Sequence, residues 1–560
     1  MPYKSDWTVA IPECSLPTFL FKSPTAPLGS KRAFSEAARP DTHCLTRDQF
    51  RLWAQRFALG LQRSKHFRKG DRILLFSGND FFVPVVFMGV LCAGGIFSGA
   101  NPTFVARELA HQLRDSGATY LLCAEGSLET GIEAARLAGL EVAERVFVYN
   151  SKIFDGQTTG LKGCRYWSEL VAPAEDAKGF AWDDLTGSGQ CDITLALNYS
   201  SGTTGVPKGV EITHKNYISN TLQVQYMSKL DPEYQARNAR ASWLCFLPLY
   251  HAYGQTFYIA SAFNREIPVY VMPKFDFIHF LEYTQKFRVT DYTLVPPIAV
   301  MLAKHPAVEK YDLSSVENIG SGAAPLGRDV SEQVERRIGT GLNFKQGCTC
   351  SILGWDPRKI SLTNSVGQLN PNCEAKIMTE DGGSEITSRG ASAVGELWCR
   401  GPNVMKGYWR NPKATAETLT PDGWLKTGDI AYVDDEMCFF IVDRKKELIK
   451  VKGNQVAPAE LEALLLEHPG IADAAVIGMP TEDGDEKPRA FVVRQVGPQG
   501  ANLTGEHVKK FVEGKVVRYK RLAGGVEFVD AIPKNPSGKI LRRQLRDATR
   551  ERMRRDSVRL

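Results

Sequence analysis

The twelve residues Tyr199-Ser-Ser-Gly-Thr-Thr-Gly-Val-Pro-Lys-Gly-Val210 stand between two segments of different period. The apolar run Leu195-Ala-Leu197 before them predicts a buried strand, and residues 214–227 after them predict a helix. A strand, a glycine-rich loop and a helix in that order belong to a layered α/β architecture. Hydroxyls and closely approachable backbone N–H groups, with Lys208 as a point charge, are what a polyphosphate needs. The loop is not a Walker A motif, because no Lys-Ser/Thr pair follows the glycines at that spacing. Short Gly/Ser/Thr clusters are ordinarily plain surface turns; the length of this one argues against that reading.

The rest of the chain alternates in the same way. Strands are expected at 72–77, 120–123 and 146–149, and helices at 85–93 and 106–116, the latter with Leu109 and Leu113 on one face. After about residue 440 the texture changes. Pro458 opens a short helix over 459–467, strand-like runs follow at 474–477 and 490–493, and a helix near 508–512. This reads as a small α+β unit of about a hundred residues. The expected fold class is therefore α/β: a large N-terminal domain of layered sheets and helices, 1–443, and a small C-terminal α+β domain, 444–560.

Composition narrows the class further. A chain of 560 residues with 43% hydrophobic and 24% charged residues is neither disordered nor fibrous. Most of the net charge of +6 sits in residues 539–560, which hold nine Lys/Arg against three Asp/Glu. The remainder is close to neutral, which argues against a nucleic-acid-binding body. The basic run Arg542, Arg543, Arg546, Arg550, Arg552, Arg554 and Arg555 reads as a solvated helix end rather than a lipid or RNA contact. The 12 cysteines are mostly scattered and form no paired CxxC ladder, so they read as reduced thiols and not as a zinc site. Residues 1–22 do not have the pattern of a signal peptide. Residues 81–100 are apolar enough to suggest a membrane span, but Pro84, Gly89, Gly94 and Gly95 favour a buried helix running into a strand.

Six blocks, in one order along nearly the whole chain, make it resemble the adenylate-forming superfamily of acyl-CoA synthetases, 4-coumarate:CoA ligases and luciferases. They are the loop at 199–210, Pro248-Leu-Tyr-His-Ala-Tyr-Gly254, Gly320-Ser-Gly-Ala-Ala-Pro-Leu326, Gly423-Trp-Leu-Lys-Thr-Gly-Asp429, Val442-Asp-Arg-Lys-Lys-Glu-Leu-Ile-Lys-Val-Lys-Gly453 and Pro533-Lys-Asn-Pro-Ser-Gly-Lys539. The 4-coumarate-ligase-like branch is the nearest in flavour. The resemblance implies ATP, Mg²⁺ and CoA as co-reactants, a small-molecule carboxylic acid as substrate, and a C-terminal domain that rotates between two half-reactions.

It also implies roles for residues at the matching positions. Ser200, Ser201, Gly202, Thr203, Thr204 and Lys208 would grip the β- and γ-phosphates. Ala323, Gln346 and Gly347 would line the nucleotide, Asp429 would accept the ribose hydroxyls, and Arg444 and Lys450 would donate nearby. Lys539 would bridge the acyl carboxylate and the α-phosphate, with His251 as a gate near that carboxylate and Lys446 at the hinge. Tyr253 and Ala324 would shape the acyl pocket, and Lys274, Lys452, Gly453 and Gln455 the CoA side. Taken singly, each lysine is by default a solvated surface residue, and a lone histidine is by default a packed one. Pro248-Leu-Tyr-His carries no Asp to pair an amine, so an acid without an α-amino group is expected.

One departure stands out. After Phe344-Lys-Gln-Gly347 the family carries an aromatic-Gly-Met-Thr-Glu run, whose Thr meets the AMP phosphate and whose Glu helps hold Mg²⁺. This chain reads Cys348-Thr-Cys-Ser-Ile-Leu-Gly-Trp-Asp356, as if about five residues were lost, and the metal ligands stay unassigned. Other readings share the motifs: an adenylating enzyme that loads a free-standing carrier protein, a luciferase-like oxygenase, and a nucleotide-binding pseudo-ligase. Cytosol is the expected compartment. Peroxisome comes second, because Val558-Arg-Leu560 is a poor match to Ser-Lys-Leu.

Overall fold

Val83–Cys92 is apolar on every side and all ten of its residues are buried, as a helix without a polar face must be. It leads through Gly94, whose φ of +79° suits glycine, into the fully buried strand Ile96–Ala100. The apolar stretch at 81–100 is thus core. Among the described residues no helix is long and apolar enough to cross a membrane. The computed structural model describes residues 2–200, 207–322, 326–339, 343–347, 351–354, 365–452, 454–481, 485–535 and 538–558.

The chain packs as two units, one of residues 7–291 with 401–423, the other of 1–6 with 292–400 and 424–560. In the first, the strands run in the order Gly407–Tyr408, Lys208–Thr213, Thr194–Ser200, Ile96–Ala100, Arg72–Phe76, Ala118–Ala124, Val146–Tyr149 and Arg165–Tyr166. From Thr194–Ser200 onward every pairing is parallel. Such strands are buried on both faces, which is why they read as continuous apolar runs. In the same unit Trp243–Cys245, Val269–Val271 and Arg32–Glu36 pair in parallel, and Cys44–Thr46 closes the edge antiparallel. In open α/β sheets ligands bind outside the carboxyl ends of parallel strands. Here those ends deliver the loop after Ser200, His251 after Cys245 and Lys274 after Val271.

The second unit holds an antiparallel sheet of Tyr3–Lys4, Glu374–Met378, Gly395–Arg400, Leu425–Val433 and Phe439–Arg444. It also holds the small α+β set expected after residue 440. Ile471–Pro480, Glu486–Arg494 and Gly525–Phe528 form one sheet. Against it pack the helices Pro458–Leu466 and Gly505–Glu513, through Leu461, Leu465, Val476, Val492, Val508 and Val512. The ten described cysteines are all free.

Candidate active site

In the first unit Thr194–Ser200 and Lys208–Thr213 are antiparallel neighbours, with Ser200 opposite Lys208 and Tyr199 opposite Gly209. The two ends of the glycine-rich loop are therefore held side by side by ladder hydrogen bonds. The loop's interior, with Ser201, Gly202, Thr203 and Thr204, lies outside the described residues. The Lys208 ammonium stands 4.7 Å over the Tyr408 ring, and Tyr199 Oη donates to Asp115 Oδ2 at 2.6 Å. The following helix, His214–Lys229, starts at a reciprocal cap between Thr213 and Asn216. His214 is buried, its Nδ1 accepts the Leu16 N–H at 2.9 Å, and desolvation pulls its pKa down to about 3.

His251 caps the short helix Ala252–Gly254, which continues as a π-helix over Gln255–Ser261, a wide turn common at functional sites. The Tyr253 N–H donates to His251 Nδ1 at 3.2 Å, which in the neutral ring leaves the proton on Nε2. A Cβ at Gly99 would lie 2.7 Å from the Tyr250 carbonyl oxygen, so only glycine lets this segment approach the sheet. Gln255 ties the pieces together. Its Nε2 donates to Tyr250 O at 3.0 Å, and its Oε1 accepts from Asn198 Nδ2 at 3.2 Å and from Tyr217 Oη. Asn198, immediately before the loop, is thereby linked to the segment that carries His251. Tyr253 meets Phe257 edge-on at 5.1 Å. Lys274 is exposed.

In the second unit Asp429 and Arg444 are register partners on neighbouring strands. Arg444 Nε lies 3.3 Å from Asp429 Oδ1, with the Asp429 side chain 7% exposed and that of Arg444 46%. Lys539 joins them from a tight turn: Lys534 and Ile540 form a bridge, and Asn535 Oδ1 accepts the Lys539 N–H at 2.8 Å. Gly538 takes φ +78°, and a Cβ there would stand 3.0 Å from Val295 Cβ, so the residue before Lys539 must be glycine on two counts. Burial, then Arg444, hold the Lys539 pKa below the usual lysine value, while Glu447 and Asp429 pull it up. The loop thus places an ammonium in the field of Asp429 and Arg444.

In the same unit two carboxylates, Glu447 and Glu462, hold one guanidinium, and a third, Asp443, contributes to its field. Arg542 Nη2 donates to both Glu462 oxygens, at 2.8 and 2.7 Å, its Nη1 to Glu447, and its Nε to Val476 O at 3.2 Å. Asp443 accepts the N–H groups of Arg444 and Ala459 at 2.6 and 2.9 Å. Burial pushes the Glu462 carboxyl up to about 7 even with the guanidinium on both oxygens. Lys446 is exposed in the turn after Phe439–Arg444. Lys450 and Gln455 face each other across the hairpin Ile449–Val451/Asn454–Val456, exposed, with Lys452 at its turn in the left-handed region. Gln346 is buried, exchanging two hydrogen bonds with the Leu326 backbone at 3.1 and 2.9 Å, and the Gly347 N–H reaches Ser321 O at 3.0 Å. Ala323, Ala324, Gly453 and Cys348-Thr-Cys350 lie outside the described residues.

The model of the AMP-binding enzyme family matches residues 26–409, and that of the AMP-binding enzyme C-terminal domain matches 460–539. The chain belongs to the AMP-binding enzyme family. Its curated relatives include probable 4-coumarate–CoA ligase 3 of Dictyostelium discoideum, 37% identical with 88% of each chain covered. Another is 4-coumarate–CoA ligase 2 of Petroselinum crispum, 36% identical over 95% of this chain and 93% of that one. Among solved structures, ATP-bound MatB from Rhodopseudomonas palustris is 25% identical and superposes with a TM-score of 0.80, covering 95% of this chain and 99% of the other.

For this family member the structure corrects one reading. Arg542 is not part of a solvated basic tail: it is 9% exposed and is the centre of the carboxylate cluster. Arg543, beside it, is exposed as expected. Sequence reasoning missed Asn198, Gln255, Glu447 and Glu462. The signal for Glu447 was present, since it falls inside the block at 442–453.

Proposed function

We propose that this chain is an ATP-dependent carboxylate–CoA ligase. An acid's carboxylate attacks the α-phosphorus of ATP and pyrophosphate leaves; the CoA thiol then attacks the carbonyl of the acyl-adenylate and AMP leaves. Two anions must meet in the first step, so the site needs a cation and oriented donors where charge develops. The observation that carries the reading is Lys539, presented by a turn that only Gly538 permits, in the field of the Asp429–Arg444 pair. Asp429 is suited to accept ribose hydroxyls, Arg444 to donate beside them, and Lys208 with Ser200 to meet the β- and γ-phosphates. We assign His251 the part of a gate for the acyl carboxylate, and segment 444–560 is taken to swing about Lys446 so that Lys450, Lys452 and Gln455 serve the thiol step. Among the described residues no group of three His, Cys, Asp or Glu is disposed to hold a metal, and residues 348–354 carry no carboxylate. Mg²⁺ would enter with ATP on its phosphates, and no step is routed through a protein-held ion.

The substrate class we favour is an aromatic or medium-to-long aliphatic acid. The names of the relatives and the missing Asp at 248–251 support it. The test is pyrophosphate release from Mg-ATP with a panel of such acids, with and without CoA. Release confined to one acid class, with acyl-CoA formed only when CoA is present, is the expected result. Acyl transfer to a carrier protein but not to CoA would replace the acceptor, and ATP binding without release for any acid would replace the ligase with a pseudo-enzyme. The shortened segment after Gly347 supports slowed chemistry. Inserting a Thr-Glu-containing run there should raise adenylation by about 10²-fold or more, measured as ATP–pyrophosphate exchange; no gain would sink that account.

A further inference from the structure

Lys304 ends the helix Pro296–Lys304, and its ammonium is turned into the protein. Nζ donates to Leu466 O and to Ile471 O, at 2.7 Å each. Leu466 closes the helix Pro458–Leu466, so its carbonyl is one of the last-turn acceptors that no intrahelical N–H can serve. That end of the helix also carries the negative pole of its dipole. Ile471 opens the strand Ile471–Pro480. One cation therefore fastens a helix end and a strand start, both within 444–560, to a helix of the preceding chain.

The other end of the same nine-residue helix does related work. Val295 and Pro297 are the residues against which Gly538 is pressed, with a Cβ there 3.0 and 3.1 Å from them. At about 1.5 Å per residue the helix is a strut of roughly 13 Å. The Lys539 turn rests on one end and the Lys304 ammonium holds the other. A third contact lies alongside: a Cβ on Gly327 would stand 3.0 Å from Ala463 Cβ, on the helix that Lys304 caps.

We infer that Lys304 is a positioning residue for adenylation: it latches segment 444–560 in the arrangement in which the Lys539 turn rests on Val295 and Pro297, and it must let go for the thioester step. This rests on the ligase reading and on the swing of that segment. The charge gives the latch its strength, since a hydrogen bond with an ionised donor is shorter and stronger than a neutral one. Lys304 is partly buried and its pKa is lowered by desolvation, so losing either carbonyl leaves the ammonium short of partners. A latch stabilises one arrangement only, so it should affect the two half-reactions differently.

The test separates them. Lys304→Met keeps the aliphatic stem and removes the donor. ATP–pyrophosphate exchange should fall about tenfold or more, while conversion of supplied acyl-adenylate to acyl-CoA should be unchanged or faster. Lys304→Arg, which can still reach both carbonyls, should recover most of the exchange. Gly327→Ala tests the same idea without touching the ammonium: φ is −66°, so the backbone accepts alanine, and the new methyl wedges against Ala463. It should give the same split, and it stands alone if Lys304→Met does not fold. Parallel loss in both half-reactions, or no change in either, overturns the latch. If the wild type exchanges pyrophosphate with no acid, the ligase reading fails. The latch is then decided by hydrogen exchange: Lys304→Met should speed exchange across Pro458–Leu466, and an unchanged profile overturns it.

Discussion

The glycine-rich hairpin and the Lys539 site are built in opposite ways. Ser200 and Lys208 are eight residues apart in sequence, and the ladder between their strands brings them together. Asp429, Arg444 and Lys539 span 110 residues. A strand register pairs Asp429 with Arg444, and a separate turn wedged against Val295 presents Lys539. The first kind of site survives most changes elsewhere in the chain. The second depends on each of its supports, and so on packing well away from the three side chains themselves.

Four experiments break or sharpen that contrast, from the largest effect to the smallest. On the hairpin side the weakness is acid. Folded His214 titrates at about 3 and an unfolded histidine near 6.5, so as pH falls the unfolded chain takes up the proton first. His214's contribution is whole above pH 6.5 and is lost by up to about 5 kcal/mol on descent to pH 3. Denaturation midpoints across that range should show it, and a variant with Gln at 214 should flatten the curve. On the lysine side the weakness is loss of a partner. Arg542→Met leaves Glu447 and Glu462 buried without their cation, and should cost about 3–5 kcal/mol in chemical denaturation at pH 7. If it costs under about 1 kcal/mol, the cluster is not a support.

Third, Lys539→Ala should lower ATP–pyrophosphate exchange by about 10²–10³-fold, as for removal of a donor at developing charge, with the thermal midpoint little changed. A drop in stability of the same size would make Lys539 a structural residue. Last, Tyr199→Phe removes one hydrogen bond to the Asp115 carboxylate beside the loop. It should cost about 1.5–3 kcal/mol at most, with exchange activity falling less than for Lys539→Ala. The reverse ranking would mean that the hairpin, not the lysine site, is the fragile half.

Much of this was legible in the sequence. The helix over residues 106–116 appears with those bounds, because Leu109 and Leu113 mark its buried face and Gly117 takes the left-handed C-cap. The run at 81–100 resolves into a buried helix and a strand, as its glycines suggested. The pairing of Asp429 with Arg444 follows two blocks that were legible as motifs. Other features were not legible. Arg542 looks like its neighbours in a basic run, and Lys304 like any helix-ending lysine, because charge in a sequence carries no burial. Gln346 reads as a ligand to nucleotide; in the structure both ends of its carboxamide are engaged by the Leu326 backbone.

The sequence by itself determined the period of each element, the order of the six blocks and hence the family. Those are local properties: side-chain spacing, turn residues and the chemistry of short loops. The tertiary structure alone decided which charges are buried together, which carbonyls Lys304 caps and which residue Gly538 is pressed against. Those depend on distances between segments far apart in the chain. Burial multiplies their consequences, since a cation that is inconsequential in water becomes costly to leave unpaired once it is desolvated.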